Sequence, residues 1–176
     1  MNILITGALG HIGSKLIRYL PKKLKNSNFY LIDDLRTQRF ISLINLPKSS
    51  NFKFYDNTIS KNLIINLVKK VDLVIHLAAT TDAASSFGKF LKIKKNNFEN
   101  TKLICDVCSK YKKKIILISS TSVYGSSDKI MYEDDDNLNP QSPYADIKVS
   151  EEKYIEKLNK NQNLKSLILR FGTIVG

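Results

Sequence analysis

The sequence predicts an α/β fold: a doubly wound parallel sheet with helices on both faces. Short, continuous apolar runs alternate with helical patterns from one end of the chain to the other. This alternation is typical of a parallel sheet that is buried on both faces. The 176 residues suffice for one domain with a sizeable core. Because no repeat, low-complexity linker or boundary interrupts the pattern, we expect residues 1–176 to form a single domain.

Six strands and five helices are predicted along the chain. The strands are Ile3–Thr6, Phe29–Asp33, Phe52–Tyr55, Leu73–His76, Ile115–Ser119 and Leu167–Phe171. The helices are Gly10–Leu20, Gln38–Leu46, Ser60–Lys69, Phe87–Lys110 and Pro143–Leu158. One extended irregular segment, Gly125–Ser142, contains the acidic run 133–136, which we interpret as a solvated loop and not as a metal site.

A glycine-rich turn joins the first strand to the first helix and holds three of the seven glycines. Gly7 lets the backbone leave the strand at a φ that residues with a Cβ avoid. Gly10 removes a side chain where a pyrophosphate would approach the helix, and Gly13 lets that helix pack closely. Free N–H groups and the helix dipole attract phosphates, so the turn predicts a dinucleotide site of the Rossmann type. Its spacing, G-x-x-G-x-x-G, differs from the common G-x-G-x-x-G.

The second strand ends in Asp33, about 20 residues after the turn, where an acid binds the adenosine ribose of a dinucleotide. A carboxylate there accepts both ribose hydroxyls and repels a 2′-phosphate, which favours NAD over NADP. Arg36 and Arg39 follow closely, and either could pair with a phosphate, so NADP stays open.

The net charge of +12 does not indicate a nucleic-acid-binding protein. Of the 28 basic residues 24 are Lys, and they are spread along a chain that is also rich in Asn and Ile. We interpret the charge as a matter of composition and expect no nucleic-acid partner.

The sequence shows neither a targeting segment nor a membrane span. Met1 leads directly into the first strand, and no apolar run approaches the length of a membrane span. We therefore expect a cytoplasmic protein without a membrane partner.

Cys105 and Cys108 lie within a helical pattern and lack the further ligands of a zinc site, so we interpret them as residues of a half-buried helix.

The catalytic candidates follow the fifth strand. Ser120 lies in a hydroxyl-rich run at the end of a parallel strand, where open α/β sheets bind ligands. Pro143 suits a helix start, and Tyr144 and Lys148, four residues apart, then share one helical face. An ammonium near a phenol lowers the phenol pKa from about 10, as a bound nicotinamide cation would, which predicts a base usable near neutral pH.

The spacing of this pair is not specific by itself. With 8 Tyr and 24 Lys in 176 residues, about one Y-x-x-x-K occurs by chance, and Tyr19–Lys23 is a second instance. That pair straddles Pro21 and has no hydroxyl-rich strand end before it, so context favours Tyr144. We interpret Tyr124 as a packing or site-lining residue.

Together these motifs resemble the extended short-chain dehydrogenase/reductase family, the NAD-dependent epimerases and dehydratases of nucleotide sugars. The matching segments are the glycine turn, Asp33 and the runs 74–79, 96–101, 119–125 and 143–148. The similarity covers essentially the whole chain. Family members are longer and carry a C-terminal substrate-binding part, which is missing from these 176 residues.

The resemblance implies NAD as cofactor and a role for each matching residue. The implied catalytic residues are Ser120, Tyr144 and Lys148. The implied cofactor-binding residues are Gly7, Gly10, His11, Ile12 and Gly13 at the pyrophosphate, Asp33 and Asp34 at the adenosine ribose, Asp56 and Asn57 at the adenine edge, Leu77, Ala78, Ala79, Thr81 and Asn96 along the cofactor, and Tyr144 and Lys148 at the nicotinamide end.

Two departures from the family pattern bear on the reaction. Thr121 and Ser122 stand where the family's dehydratases carry Asp-Glu, which disfavours a dehydratase, and Asn100 replaces the usual Gly before Thr101. We therefore predict an NAD-dependent oxidoreductase of the epimerase/dehydratase type that acts on a nucleotide sugar, 4-epimerase-like, with a homodimer as one expected assembly. The alternatives are an NAD(P)-dependent reductase or dehydrogenase of the same family, or a non-catalytic NAD-binding module.

Overall fold

Six parallel strands form one sheet in the computed structural model, which describes residues 1–80, 93–126, 130–135 and 137–174. The strands are β1 (Asn2–Thr6), β2 (Asn28–Asp33), β3 (Asn51–Asp56), β4 (Leu73–His76), β5 (Lys114–Ser120) and β6 (Ser166–Phe171). Their order in the sheet is β3-β2-β1-β4-β5-β6, and every neighbouring pair is parallel. This confirms the predicted fold class, since the order is that of a doubly wound dinucleotide-binding sheet.

The described residues contain four α-helices and several short helical turns. The helices are α1 (His11–Lys23), α2 (Lys61–Val68), α3 (Asn100–Lys110) and α4 (Pro143–Gln162). A π-helical turn, Lys95–Glu99, leads into α3, and two 3-10 turns lie at Phe40–Leu43 and Thr121–Tyr124. Residues 87–92 of the predicted fourth helix lie outside the described residues.

The predicted helix Gln38–Leu46 is wrong, because only the 3-10 turn Phe40–Leu43 forms there. Gln38 and Asn45 both adopt positive φ, 51° and 56°, one on each side of that turn. A residue in the left-handed region interrupts a right-handed helix, so the segment is limited to a single turn.

Helices cover both faces of the sheet, as the continuous apolar strands predict. On one face α2, α3 and α4 pack on strand residues such as Leu4, Val74 and Leu117. On the other, α1 packs through Ile17 on a cluster that includes Ile5. Successive strand side chains point to opposite faces, so each central strand contributes to both cores.

Cys105 and Cys108 lie in the first of these cores, on α3, as free buried thiols. Their burial on a helix with one exposed face confirms their interpretation as residues of a half-buried helix. Burial also raises the pKa of both thiols, that of Cys108 to about 12. Across the described part of the chain, none of the helices combines the length and apolar character that a membrane crossing needs.

The sheet also fixes where a ligand can bind. The chain runs outward from β1 in both directions, with β2 on one side and β4 on the other, so Thr6 pairs with both Ile32 and His76. In doubly wound sheets ligands bind beyond the carboxyl ends of the strands at this reversal. The glycine turn after β1 and the residues that follow β2, β4 and β5 all lie on that edge.

Candidate active site

Two glycines of the turn are required by the fold itself. Gly7 has a φ of +66°, and a Cβ on it would lie 2.7 Å from the backbone N of Ala78. A Cβ on Gly13 would lie 2.4 Å from the carbonyl O of Gly7 and 2.6 Å from that of Ala8. The first turn of α1 therefore folds tightly back on the loop that precedes it.

Gly10 is different, because the protein leaves space beside it. A Cβ there would meet only the carbonyl O of Gly7, at 3.3 Å. Gly10 also caps α1 without a capping side chain, and the first turn of the helix holds no acidic residue. The N–H groups of His11 and Ile12, at the start of α1, have no intrahelical partner. This space and these donors fit an anionic pyrophosphate.

Asp33 is held rigidly at the end of β2, beside the turn. Its Oδ2 accepts a hydrogen bond from Leu9 N at 2.9 Å, and its Oδ1 accepts one from Leu35 N at 3.0 Å. A carboxylate has about four acceptor positions, so two backbone bonds leave capacity for the hydroxyls of a ribose. Asn57 is fixed nearby, since its N–H donates to the Asp33 carbonyl at 3.1 Å.

Asp34 and Asn96 are joined by Arg36. The Arg36 Nε donates to Asp34 Oδ2 at 2.6 Å, and its Nη2 donates to Asn96 Oδ1 at 2.7 Å. Asp34 and Asn96, both predicted to contact the cofactor, are thus brought together from opposite sides of the sheet centre. Asp56 lies exposed at the end of β3.

The residues after β4 are anchored by a side chain that the sequence analysis did not single out. The fully buried Asn97 accepts from Thr80 N at 2.8 Å and donates to Thr80 O at 2.9 Å. Leu77, Ala78 and Ala79, which precede Thr80, are partly exposed at the sheet edge. Thr81 lies outside the described residues. Asn97 stands next to Asn96 in a matching run, which was the only signal available for it.

At the end of β5, Ser120 caps the 3-10 turn that follows. Its Oγ accepts from Ser122 N at 3.1 Å, a bond that does not use the hydroxyl hydrogen of Ser120. The hydroxyls of Ser119 and Ser122 are buried and find no hydrogen-bond partner in the described part of the chain. Leaving such groups unsatisfied is costly, so this strand end suits a polar ligand.

Tyr144 and Lys148 lie on one face of α4, the placement that their spacing predicts. Ser142 caps the helix by accepting from Ala145 N at 3.2 Å, and Pro143 is its first residue. The Lys148 Nζ lies 5.9 Å from the centre of the Tyr144 ring and donates to the Ile118 carbonyl at 3.0 Å. Both side chains are buried.

The predicted lowering of the Tyr144 pKa is wrong for the protein alone. Burial raises this pKa above 10, Lys148 lowers it, and Glu151 raises it, so the net direction is upward. The effect of Lys148 has the predicted sign but is smaller than the desolvation of the phenolate.

Tyr124 has a separate set of partners. Its hydroxyl oxygen accepts from Arg170 Nη1 at 2.8 Å, and the same guanidinium pairs with the buried Glu152 carboxylate at 2.8 Å. This arrangement favours the interpretation of Tyr124 as a packing residue.

Comparison with known proteins identifies the family. The profile of the NAD dependent epimerase/dehydratase family matches residues 3–176. The chain belongs to this family.

The similar proteins within the family include both epimerases and dehydratases. The chain is 37% identical to a dTDP-D-glucose 4,6-dehydratase of Dictyostelium discoideum over 99% of this chain and 44% of that protein. It matches a UDP-glucuronic acid 4-epimerase from Bacillus cereus, solved with UDP-glucuronic acid and NAD, at TM-score 0.86 and 33% identity, over 100% of this chain and 58% of the other. A UDP-N-acetylglucosamine 4-epimerase from Methanobrevibacter ruminantium M1, solved with UDP-N-acetylmuramic acid, gives TM-score 0.87 at 28% identity, over 96% of this chain and 54% of the other. The chain thus spans about half the length of these relatives.

Residues 121 and 122, where the resemblance implies acids in a dehydratase, carry hydroxyls in this family member. Thr121 is exposed and donates to the Phe171 carbonyl at 3.5 Å, while the Ser122 hydroxyl is buried. Neither side chain can act as a carboxylic acid.

Four further buried residues lie behind Lys148, and their connection was not predicted from the sequence. Lys148 Nζ forms an ion pair with Glu151 Oε2 at 2.8 Å, and Glu151 Oε1 accepts from Thr101 Oγ1 at 2.9 Å. Thr101 Oγ1 is 3.0 Å from His76 Nε2, and His76 Nδ1 is 2.6 Å from Thr6 Oγ1. Burial and the Lys148 charge lower the His76 pKa to about 3, so this imidazole is neutral. The sequence contains a signal for one of these contacts only: Glu151 lies three residues after Lys148, a spacing that allows an ion pair on a helix.

Proposed function

We propose that the protein is an NAD-dependent oxidoreductase of the sugar-nucleotide epimerase type, with residues 1–176 as a single NAD-binding domain. The observation that carries the proposal is the Tyr144–Lys148 pair on the first turns of α4. It follows Ser120 along the chain and lies on the same sheet edge as the glycine turn. A base and a dinucleotide site on one edge are the two parts that oxidation of a sugar hydroxyl needs.

The cofactor assignment rests on the geometry of the turn and of β2. Gly10, His11 and Ile12 would hold the pyrophosphate, and Asp33 with Asp34 the adenosine ribose. Arg36 supports NAD over NADP, because its guanidinium already donates to Asp34 and Asn96. The remaining predicted contacts are Asp56 and Asn57 at the adenine edge and Leu77, Ala78, Ala79 and Asn96 along the cofactor.

The proposed chemistry assigns one task to each catalytic side chain. NAD, when bound, supplies the hydride acceptor. With NAD bound, the positive charges of Lys148 and the nicotinamide would favour loss of the Tyr144 phenol proton to solvent. The resulting phenolate oxygen would take the proton of a sugar hydroxyl, and the hydroxyl of Ser120 would donate to the sugar oxygen. An ammonium has three donors, and two of those on Lys148 are directed at Ile118 O and Glu151. The third would bind the nicotinamide ribose.

An epimerase is favoured over a dehydratase despite the similarity to the Dictyostelium enzyme. Loss of water requires an acid and a base in addition to Tyr144, and Thr121 and Ser122 supply neither. We propose a nucleotide sugar as substrate and a net isomerisation, in keeping with the 4-epimerases among the structural relatives. A cytoplasmic location and a homodimer remain predictions.

Two measurements test the proposal. Calorimetry with NAD and NADP should show NAD binding tighter, and no NAD binding by the folded protein would refute the assignment. Incubation with NAD and UDP-glucose, followed by NMR of the sugar and absorbance at the NADH band, separates the reactions. The C4 epimer without NADH accumulation supports an epimerase. Steady NADH appearance indicates a dehydrogenase, and NAD binding without turnover indicates a binding module.

A further inference from the structure

Lys148 is one end of a buried chain of polar side chains that crosses the molecule. Thr6 comes from β1, His76 from β4, Thr101 from α3, and Glu151 and Lys148 from α4. All five are at most 4% exposed. Each consecutive pair lies within hydrogen-bond distance, 2.6 to 3.0 Å. The chain therefore connects the strand that precedes the glycine turn with the catalytic helix.

The hydrogen bonds of this chain can run in one direction only. A carboxylate accepts and does not donate, so the single hydroxyl hydrogen of Thr101 is given to Glu151. Thr101 Oγ1 must then accept from His76, which places the imidazole hydrogen on Nε2. The other ring nitrogen, Nδ1, accepts from Thr6.

The far end of the chain reaches the residues after β4. The Thr6 hydroxyl hydrogen is given to His76, so Thr6 Oγ1 is an acceptor, and the Ala78 N–H donates to it at 3.4 Å. Ala78 is also the residue whose backbone packs against Gly7. The chain thus ends between the glycine turn and the residues predicted to line the cofactor.

We propose that Glu151 is a positioning residue for Lys148, and that its carboxylate fixes the direction of the hydrogen-bond chain from Ala78 through Thr6, His76 and Thr101. The role of Lys148 in the active site rests on the proposed function. A fully satisfied buried network orders its members. A buried carboxylate that accepts from both an ammonium and a hydroxyl holds the Lys148 Nζ at a defined point beside Tyr144.

The variant Glu151→Gln tests the direction. An amide has one acceptor atom and one donor group. Its oxygen must face the Lys148 ammonium, so its NH₂ group faces Thr101. Thr101 then accepts from the amide and donates to His76 Nε2, and the imidazole hydrogen moves to Nδ1. We therefore expect the neutral His76 to change tautomer although the substitution lies two side chains away.

Glu152→Gln is the matched control. Glu152 is the next residue of α4, is equally buried and forms its own ion pair, with Arg170. Its substitution also removes a buried carboxylate but leaves the chain intact. Long-range ¹H–¹⁵N correlation spectra of the 176-residue protein labelled with ¹⁵N-histidine report the tautomer. Only His11 and His76 contribute, and His11→Asn assigns the signals.

The expected result is the Nε2–H tautomer for wild type and Glu152→Gln, and the Nδ1–H tautomer for Glu151→Gln. An unchanged tautomer in a folded Glu151→Gln protein would overturn the proposal. So would an Nδ1–H tautomer in the wild type, a result that needs no variant to fold.

NAD calorimetry on the same proteins tests the positioning role. A neutral acceptor holds the ammonium about half as strongly as a carboxylate. We expect Glu151→Gln to bind NAD about tenfold more weakly and Glu152→Gln to stay within about twofold of wild type. Equal affinity of Glu151→Gln and wild type would exclude positioning by Glu151. If the folded wild type bound no NAD, the proposed function would fail, whereas the tautomer would still decide the direction of the chain.

Discussion

The two ends of the candidate site are built in different ways. At the glycine turn, the ligand-facing groups are backbone N–H donors, and the turn and its acid lie within the first 33 residues. At Lys148, the groups are side chains from four elements, with partners up to 70 positions apart in the sequence. The first end depends on the absence of side chains, and the second depends on several side chains being present together. We therefore expect the first end to be sensitive to substitutions that add a side chain, and the second end to substitutions that remove one.

The largest effect is expected from Lys148→Met. It leaves the fully buried Glu151 carboxylate without its cation, and losing one partner of a buried ion pair costs about 3–5 kcal/mol. Urea unfolding measures the loss. The double variant Lys148→Met/Glu151→Gln should recover part of it, because the remaining group is neutral. If the double variant were no more stable than Lys148→Met, the ion pair would not be the source of the effect.

Gly13→Ala should come next and should act on the fold. Its Cβ would lie 2.4 Å from a backbone oxygen, and overpacking of this kind costs about 3 kcal/mol. Gly10→Ala is the control, with stability within about 0.5 kcal/mol of wild type and NAD affinity at least about tenfold lower. Thermal unfolding and calorimetry separate the two. Similar losses of stability in both variants would contradict the distinction between these glycines.

Asp33→Asn should weaken NAD binding with a smaller effect on the fold. The amide can accept only one of the two backbone hydrogen bonds and carries no charge, which corresponds to about 10- to 100-fold in affinity. The preference for NAD over NADP should decrease as well. The exposed Asp72→Asn, which lies before β4 at the opposite edge of the sheet, serves as control in the same titrations. Unchanged selectivity in Asp33→Asn would remove Asp33 from the ribose site.

The last prediction concerns the Lys148 end of the site and the change of stability with each pH unit. The unfolded chain binds a proton on His76 near pH 6.5, whereas the folded protein does so only near 3. Stability should therefore decrease as the pH falls between these values, by about 1.4 kcal/mol per pH unit. His76→Gln should remove this component from the unfolding free energy, and His11→Asn should retain it. Parallel curves for wild type and His76→Gln would show that His76 is not held neutral.

Most of the fold could be predicted because its signals are local. Runs such as Ile3–Thr6 and Leu73–His76 identify buried strands by composition alone, and a glycine turn identifies the reversal of the sheet. The segment 38–46 could not be predicted, since the positive φ of Gln38 and Asn45 depends on packing around them. Asn adopts the left-handed region more often than most residues, so Asn45 carries a weak sign of it, whereas Gln38 carries none.

For the site, too, only the features that depend on local sequence could be predicted. A four-residue spacing places Tyr144 and Lys148 on one face of a helix, whatever surrounds them. The sign of the Tyr144 pKa shift depends on how completely the ring is buried and on the negative charge of Glu151, and both are tertiary properties. His76 and Thr101 looked like parts of family motifs, and nothing in their order along the chain indicates that Glu151 joins them.

The contacts of Asn97 limit which residues position 97 can tolerate. Its amide pairs with both backbone polar groups of one residue, Thr80, as a neighbouring strand would. Aspartate has the same shape but no donor, glutamine is one methylene longer, and leucine offers neither group. Any of these substitutions would leave a backbone group of the partly exposed Thr80 unmatched beside a fully buried side chain. Substitutions at position 97 should therefore be depleted in a saturation library selected for folding, whereas the exposed Asp56 should accept many.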